Sequence, residues 1–386
     1  MGLKLLTGGK ILLADEIVEG RALLFSDRIL ALLPEDRTEG IEAERRDVSG
    51  AYISPGFIDV HVNGAGGADA LDAGDESLDV FCRCLAEHGV TAFLPTVVTA
   101  PKADREAVAE SVRRAMKRET PGAAVLGLHL EGPWIDENRR GAHPLAHIEA
   151  VPDAEWVERR ADVVRMVTFS PRRDEGGDFL RTLLRLGIVP SLGHTDADFD
   201  EAMTVLRAGA KSIAHLFNAQ SGLHHRAPGM VGAALCSRAM CELIADGAHV
   251  RAELFEPLCR AIGTDRLLLV TDSMRAAGLS DGEYDFAGRR VRVEDGVPRL
   301  PDGTLAGSAL TMNRAVRNMW RATGRPLPEI VGLASANPAK LLGLEGRKGS
   351  LAPGNDADLL CFDENLEVLI TFVGGRCVHT SQAEPA

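Results

Sequence analysis

The sequence contains few aromatic residues and fewer basic than acidic residues. Phe, Trp and Tyr make up 4% of the 386 residues, so stacking platforms for single-stranded nucleic acid are not expected. The formal net charge is -13, which opposes general affinity for nucleic acid or anionic lipid because both require a positive surface. An anionic small molecule would therefore need its own local cations on this protein.

Cysteines are few, odd in number and scattered. The seven thiols lack the spacing of a disulfide framework, which indicates a reduced, cytoplasmic setting. Long hydrophobic runs are also missing. The apolar stretch near the N-terminus is interrupted by Thr-Gly-Gly-Lys at residues 7–10, so we expect neither a signal peptide nor a membrane span.

The short motifs of several common protein classes are absent. The chain has no HExxH, CxxC or Walker A sequence. The glycine-rich stretch at residues 64–69 has Asp69 where the third glycine of a dinucleotide-binding fingerprint belongs. This disfavours a doubly wound open sheet, which is the main alternative fold for a chain of alternating strands and helices.

Eight short apolar segments recur through the middle of the chain and read as strands. They lie at residues 57–62, 92–98, 125–130, 163–169, 188–192, 213–217, 241–245 and 266–270. Most successive pairs are joined by segments with helical periodicity. Eight β-α units across residues 55–347 predict a (β/α)8 TIM-type barrel, whose usual size is about 250 residues before insertions.

The two ends of the chain have a different character from the middle. Residues 1–54 and 348–386 show short alternating segments separated by Gly, Asp and Pro, which indicates strands rather than helices. Neither end carries enough apolar residues to form a stable domain alone. We therefore predict that both termini combine into one small β-sandwich domain beside the barrel.

Four of the predicted strands are followed by a residue whose side chain can bind a metal or transfer a proton. Glu131, His194 and His215 each follow an apolar strand, and so does Asp272. A single histidine at a strand end is more often a hydrogen-bonded structural residue. Because the carboxyl ends of barrel strands meet at one face, the first three together predict a hydrolytic metal site with one coordination position left for water.

Two further predictions at the strand ends leave alternatives open. Asp272 is either a turn residue or the carboxylate that takes a proton from water and hands it to the leaving group. His61 and Asn63, after the first strand, point to the same side and could hold a second metal, although asparagine is a poor zinc ligand. One metal per subunit is the prediction, with zinc favoured and iron, manganese or cobalt as alternatives.

Several polar residues between and after the strands are candidates for substrate binding. His143 is either a surface loop residue or a group that polarises a carbonyl. Asn218, Ala219, Arg226 and His249 offer hydrogen-bond donors and cations in an acidic protein, which suits an anionic group such as phosphate. Exposed salt bridging is the alternative explanation for these charges.

Six motifs, in this order along almost the whole chain, resemble the N-acetylglucosamine-6-phosphate deacetylase family of the amidohydrolase superfamily. The motifs are Pro55-Gly56-Phe57-Ile58-Asp59-Val60-His61-Val62-Asn63-Gly64, His129-Leu130-Glu131-Gly132-Pro133-Trp134, Gly193-His194-Thr195, His215-Leu216-Phe217-Asn218-Ala219, Ala245-Asp246-Gly247-Ala248-His249 and Thr271-Asp272.

The resemblance implies a role for each candidate residue. It implies a metal on Glu131, His194 and His215, and proton transfer by Asp272. It also implies that His143 lies near an acetyl carbonyl. The groups that it implies around the sugar phosphate are Asn218, Ala219, Arg226 and His249, and those that it implies along the sugar site are Ala142, Leu305, Ala306 and Gly307. Arg226 would reach into the neighbouring subunit of a homodimer.

The implied activity is hydrolysis of N-acetyl-D-glucosamine 6-phosphate to D-glucosamine 6-phosphate and acetate, in amino-sugar catabolism and cell-wall recycling. The galactosamine epimer as substrate and a sensor that binds an amino-sugar phosphate without hydrolysis are the alternatives. The sequence departs from the family's patterns at two places. Asn63 stands where members with two metals have histidine, and Gln220-Ser221 stands where Met-Pro is common.

Overall fold

The computed structural model describes residues 2–381, and its centre is a barrel of eight parallel strands. The predicted (β/α)8 fold is confirmed. Ladder hydrogen bonds join successive strands from the first to the eighth. The strands read as almost continuous apolar runs because helices cover their outer face. Their bounds are Phe57–Val62, Val90–Val97, Leu128–Glu131, Val164–Phe169, Val189–Leu192, Ser212–Ile213, Met240–Ile244 and Leu267–Val270.

Side-chain and backbone hydrogen bonds close the barrel between its eighth and first strands. The Thr271 hydroxyl donates to the Asp59 carboxylate at 2.6 Å. Just beyond, the Asp272 N–H donates to the carbonyl of His61 at 2.8 Å. The ends of strands that are about 210 positions apart in sequence are thereby joined at the carboxyl face of the barrel.

Helices surround the barrel and follow most of its strands. Their apolar faces pack on the barrel's outer surface, as in Phe81, which lies 5.0 Å from the ring of Phe93 on the second strand. The α-helices are Asp75–Glu87, Lys102–Ala115, Ala154–Glu158, Asp178–Leu186, Phe199–Arg207, Gly229–Cys236, Phe255–Ile262, Met312–Thr323, Leu327–Ala334 and Ala336–Leu341.

Both ends of the chain contribute to two packed sheets beside the barrel. One sheet has four strands in the order Ile29–Pro34, Arg21–Phe25, Lys4–Thr7 and Glu44–Asp47. The other has six strands in the order Arg376–Thr380, Val368–Val373, Leu359–Phe362, Tyr52–Pro55, Lys10–Leu12 and Ile17–Val18. The prediction that the termini combine into one small β-sandwich is therefore confirmed.

A separate apolar core holds the two terminal sheets together. Phe25 of the four-stranded sheet meets Phe372 of the six-stranded sheet edge to face, with ring centroids 5.2 Å apart. The domain division at residues 54/55 and 347/348 stays a prediction. Residues 1 and 382–386 of the predicted small domain lie outside the described residues.

Short strands also lie outside the barrel and the sandwich. A three-stranded sheet, Gly282–Phe286, Arg289–Glu294 and Val297–Arg299, follows the eighth barrel strand, and its apolar side packs on Met274 and Ala306. A hairpin of Gly64–Ala65 and Ala68–Asp69 follows the first strand, and Ala124–Val125 extends the barrel sheet. Among residues 2–381, no helix is both long enough and apolar enough to cross a membrane.

Gly375 is expected to be essential for packing between the two terminal segments, and Gly374 provides the matched control. Both residues have positive φ, at 73° and 52°. A Cβ on Gly375 would lie 1.6 Å from the carbonyl oxygen of Ser26, whereas a Cβ on Gly374 would meet nothing within 4 Å. Gly375→Ala should therefore destabilise the protein by at least about 2 kcal/mol more than Gly374→Ala. Urea unfolding measures the difference, and equal midpoints would contradict this packing.

Candidate active site

The carboxyl face of the barrel collects the four predicted strand-end residues. Glu131 is the last residue of the third strand, and His194, His215 and Asp272 each stand two residues beyond a strand. All four side chains are buried. The last three have positive φ, at 47°, 26° and 44°. Such backbone costs about 1–3 kcal/mol per residue and is found preferentially at functional sites.

Three imidazole nitrogens surround one carboxylate oxygen. The Oε1 atom of Glu131 lies 2.9 Å from Nε2 of His215 and 3.0 Å from Nε2 of His194. Nε2 of His61 lies 3.2 Å from the same oxygen. The two imidazole nitrogens of His194 and His215 are 3.1 Å apart. The structure thus places His61 in the same cluster as the three predicted ligands.

The hydrogen bonds of His194 show that this cluster fits a cation. Its Nδ1–H donates to the carbonyl of Arg139 at 2.8 Å, so its Nε2 presents a lone pair to the Glu131 oxygen. A lone pair facing a carboxylate is unfavourable unless a proton or a metal lies between them. Ligand atoms of a tetrahedral zinc with bonds of about 2.0–2.1 Å lie roughly 3.3 Å apart, close to the observed spacing.

The charges of the cluster also favour a bound cation. Burial by itself raises the pKa of Glu131, but the surrounding His61, His143, His194 and His215 hold this pKa well below its usual value. Burial lowers the pKa of His61, yet Glu131, Asp272 and Glu242 together raise it well above the ordinary value. The buried carboxylates therefore require positive charge at this place, which protons or a divalent metal can supply.

Two sets of side chains bring their ligand atoms close enough to share a metal. One set is His61, Glu131 and His215, and the other is Glu131, His143 and His194. Within each set, the ligand atoms lie within 4.8 Å of one another. Glu131 belongs to both sets, so it is the centre of the candidate metal site.

Asp272 lies beside the cluster and contacts both predicted second-site residues. Its Oδ1 accepts a hydrogen bond from Nδ2 of Asn63 at 2.8 Å and lies 3.5 Å from Nε2 of His61. Burial raises the pKa of Asp272, and the His61 charge opposes that rise. The two predicted second-site residues therefore have different partners. The His61 ring lies against Glu131, whereas the Asn63 amide donates a hydrogen bond to Asp272.

His143 is neutral and presents an N–H to the site. Its Nδ1 accepts from the Thr99 backbone N–H at 3.1 Å, so the ring proton is on Nε2, which lies 3.4 Å from Oε2 of Glu131. Burial lowers the pKa of His143 to about 4, and the adjacent His194 acts in the same direction. This imidazole therefore offers an N–H donor at Nε2, as carbonyl polarisation requires.

The cluster opens into a cavity of about 280 Å³ at the carboxyl face of the barrel. Most of the predicted substrate-binding residues line it, together with the cluster itself: Ala142, His143, Asn218, Ala219, His249, Leu305 and Gly307. Ala306 is fully buried behind the lining, in the apolar core of the three-stranded sheet.

Arg226 does not line this cavity. It is exposed in the loop that follows the sixth strand, where its guanidinium contacts Nε2 of His225 at 2.7 Å. The start of this loop is anchored by Gln220 and Ser221, the residues that stand in place of the Met-Pro pair. The buried Gln220 amide donates to the Ala214 carbonyl, and the Ser221 hydroxyl donates to the carbonyl of Ala197.

Several residues of the site had not been predicted. Asn138, Arg139, Phe286 and Thr304 also line the cavity. Arg139 makes two hydrogen bonds to Oδ1 of Asp196, at 2.9 and 2.8 Å, so its charge is already paired. The position of Asn138 and Arg139 in the loop after the Glu131 strand is the signal that could have found them, because such loops form the mouth of a barrel.

Known proteins share both the sequence and the architecture of this chain. A sequence profile described as the amidohydrolase family matches residues 52–378. The chain belongs to the amidohydrolase family. Members of this family are metal-dependent, and the His/Glu cluster at the barrel mouth is where the residues of this chain can bind a metal.

Two related names occur among relatives that are 35–36% identical to this chain. N-acetylglucosamine-6-phosphate deacetylase of Bacillus subtilis (strain 168) is 36% identical over 381 residues, covering 96% of each chain. N-acetylgalactosamine-6-phosphate deacetylase of Escherichia coli O157:H7 is 35% identical, covering 95% of this chain and 97% of its own. A variant of N-acetyl-D-glucosamine-6-phosphate deacetylase from Mycobacterium smegmatis, in complex with N-acetyl-D-glucosamine-6-phosphate, has a TM-score of 0.91 and 32% identity, covering 98% of this chain and 100% of that structure.

Proposed function

We propose that this amidohydrolase hydrolyses the acetamide of N-acetyl-D-glucosamine 6-phosphate to D-glucosamine 6-phosphate and acetate. The observation that carries the proposal is the set of Glu131, His194 and His215 around one point, with Asp272 beside it at the mouth of a cavity. The names of the relatives and the Mycobacterium smegmatis complex support this substrate.

Glu131, His194 and His215 would hold a divalent cation, with zinc favoured over iron, manganese or cobalt and one ion per subunit. When bound, the cation supplies Lewis acidity for water activation and for the acetyl carbonyl. Asp272 takes the proton of the attacking water and delivers it to the departing amine. Burial raises the pKa of its carboxyl group, which helps it to hold a proton between these two transfers.

His143 would donate its Nε2–H to the acetyl oxygen as negative charge develops there. We expect His143→Ala to lower kcat by about 10²- to 10³-fold, because one oxyanion donor is lost. Metal content should stay at the wild-type value, as elemental analysis can show. Loss of the metal would instead assign His143 to the ligands. Thr99→Val removes the hydroxyl that contacts Nδ1 of His143 at 2.8 Å but keeps the backbone N–H that donates to the same atom at 3.1 Å, so it should lower kcat far less than His143→Ala.

Arg226 would bind the substrate phosphate across a homodimer interface. Within the described residues, Arg139 is the one Lys or Arg that lines the cavity, and Asp196 already pairs with it. The phosphate therefore needs an arginine from elsewhere. The exposed loop at residues 222–227 can supply it to a neighbouring copy, beside His249, whose Nδ1–H is fixed by Asp246 at 2.7 Å.

Subunit mixing tests the contribution of Arg226. Arg226→Ala and Asp272→Asn should each be inactive at low substrate concentration. Dimers that contain one subunit of each kind should recover activity, because the intact Arg226 of one subunit then completes the site that has the intact Asp272. No recovery in a sample shown to contain mixed dimers would contradict a contribution across the interface.

The galactosamine epimer is the second candidate substrate, because a relative of nearly equal identity is named for it. Steady-state acetate release from the two phosphorylated sugars decides between them. We expect a larger kcat/KM for the glucosamine compound. A larger value for the galactosamine compound would overturn the choice of epimer. Tight binding of both sugars without acetate release would instead show a sensor.

A reduced cytoplasmic setting is part of the same proposal. All seven cysteines are free, and five of them are buried. Burial raises the pKa of Cys82, Cys241 and Cys361 to about 12, so these thiols are unreactive and act as small apolar residues.

A further inference from the structure

Glu242 is a buried carboxylate that the proposed reaction does not use. It lies in the middle of the seventh strand, Met240–Ile244, and has 0% exposure. An ionised carboxylate inside a barrel is costly unless hydrogen-bond donors compensate it. Its Oε1 has no hydrogen-bond partner among the described residues, so its stabilisation comes through Oε2.

The Oε2 atom of Glu242 accepts hydrogen bonds from two residues of the metal cluster. Nδ1–H of His61 donates to it at 2.8 Å, and the backbone N–H of His215 donates at 3.2 Å. The first bond fixes the remaining lone-pair nitrogen of His61 as Nε2. That nitrogen faces Glu131 Oε1 at 3.2 Å.

A ring contact also supports this orientation of His61. The His129 ring lies edge-on against it, with centroids 4.7 Å apart. His129 is itself fixed, because its Nδ1 lies 2.9 Å from the Val60 carbonyl and its Nε2 lies 2.8 Å from the Thr168 hydroxyl. The orientation of His61 therefore depends on one carboxylate and one rigid aromatic neighbour.

We propose that Glu242 is a positioning residue that makes His61 an additional nitrogen donor to the cation held by Glu131, His194 and His215. The inference rests on the proposed metal-dependent function. A carboxylate that accepts the Nδ1–H of a metal-bound histidine fixes its tautomer and raises its basicity, and loss of such a partner typically costs about 10- to 100-fold in metal affinity. Glu242 does not line the substrate cavity; it acts through the His61 ring and the backbone N–H of His215.

Two substitutions separate the charge of Glu242 from its hydrogen bonding. Glu242→Gln keeps an acceptor oxygen for His61 and His215 but removes the charge, whereas Glu242→Leu removes both. Ser191→Ala is the matched control, because Ser191 is a buried polar residue of the fifth strand whose hydroxyl has no partner among the described residues. The measurements are metal Kd by chelator competition, the visible spectrum of the cobalt-loaded protein, kcat and KM separately, and urea unfolding of metal-free protein.

Glu242→Leu should weaken metal binding by about 10- to 100-fold and change the cobalt spectrum. When Glu242→Leu is saturated with metal, its KM should stay near that of wild type while its kcat falls. Glu242→Gln should recover most of the metal affinity, and Ser191→Ala should match wild type in every measurement.

A purely structural role for Glu242 would lower the unfolding midpoint of the metal-free protein while the metal Kd and cobalt spectrum of both variants match wild type. That result would overturn the inference and leave the proposed function intact. A wild-type protein that binds metal but releases no acetate would contradict the proposed function alone. A wild-type protein that binds no metal would overturn both.

Discussion

Replacing Asp272 with asparagine is expected to lower kcat by about 10²- to 10⁴-fold, because the group that moves the proton is lost. Asparagine has nearly the same shape, and its carbonyl can still accept the hydrogen bond that Asn63 donates to Asp272 at 2.8 Å. Folding and metal content should therefore stay at their wild-type values. Acetate release, circular dichroism and elemental analysis on the same sample measure the three properties.

An exposed aspartate provides the control for this substitution. Asp47 lies exposed at the end of a strand of the four-stranded terminal sheet, where it accepts the backbone N–H of Ser49. Asp47→Asn should retain wild-type turnover. If Asp272→Asn also retained wild-type turnover, another group would have to transfer the proton, and the assignment of Asp272 would be wrong.

Replacing Glu131 with glutamine should abolish turnover and weaken metal binding by at least about 100-fold. Its Oε1 lies within 3.2 Å of three imidazole nitrogens, so it supplies the negative charge that the other donors lack. A glutamine is neutral and offers a dication only its carbonyl oxygen. The loss should therefore exceed the roughly 10- to 100-fold that is typical for residues behind the ligands.

Thermal unfolding with and without metal reports this loss independently of activity. At a free metal concentration 1,000 times the wild-type Kd, binding should stabilise wild type by about 4 kcal/mol. Metal at the same concentration should stabilise Glu131→Gln far less. Glu149→Gln is the control, because Glu149 accepts hydrogen bonds from Arg105 and Trp134 outside the cluster. Metal should stabilise this variant as much as it stabilises wild type. An equal gain in Glu131→Gln would remove Glu131 from the metal site.

The sequence allowed the barrel and the meeting of four strand ends to be predicted for one physical reason. Parallel strands that are covered on both faces show as apolar runs, and their carboxyl ends must share one face. The first and last residues of each strand were less predictable. The sixth strand was expected over residues 213–217 but is only Ser212–Ile213, because the backbone turns at His215 and Phe217, which both have positive φ.

Contacts across the barrel interior were not predictable. The hydrogen bond from His61 to Glu242 joins residues 181 positions apart. Alternation along a strand tells which side chains point inward, but their partners depend on the stagger between strands. The sequence shows Glu242 as a lone charged residue in an apolar strand, but it does not indicate His61 as the partner. The same argument explains why His61 was grouped with Asn63, its neighbour in sequence, when its ring lies against Glu131.

Anomalous X-ray diffraction from metal-loaded crystals, recorded on both sides of the metal's absorption edge, tests the central claim most directly. The account predicts one strong peak about 2.0–2.2 Å from the Glu131 carboxylate and from Nε2 of His194 and His215, beside Asp272. A peak elsewhere, or an active crystal with no peak among these side chains, would contradict it.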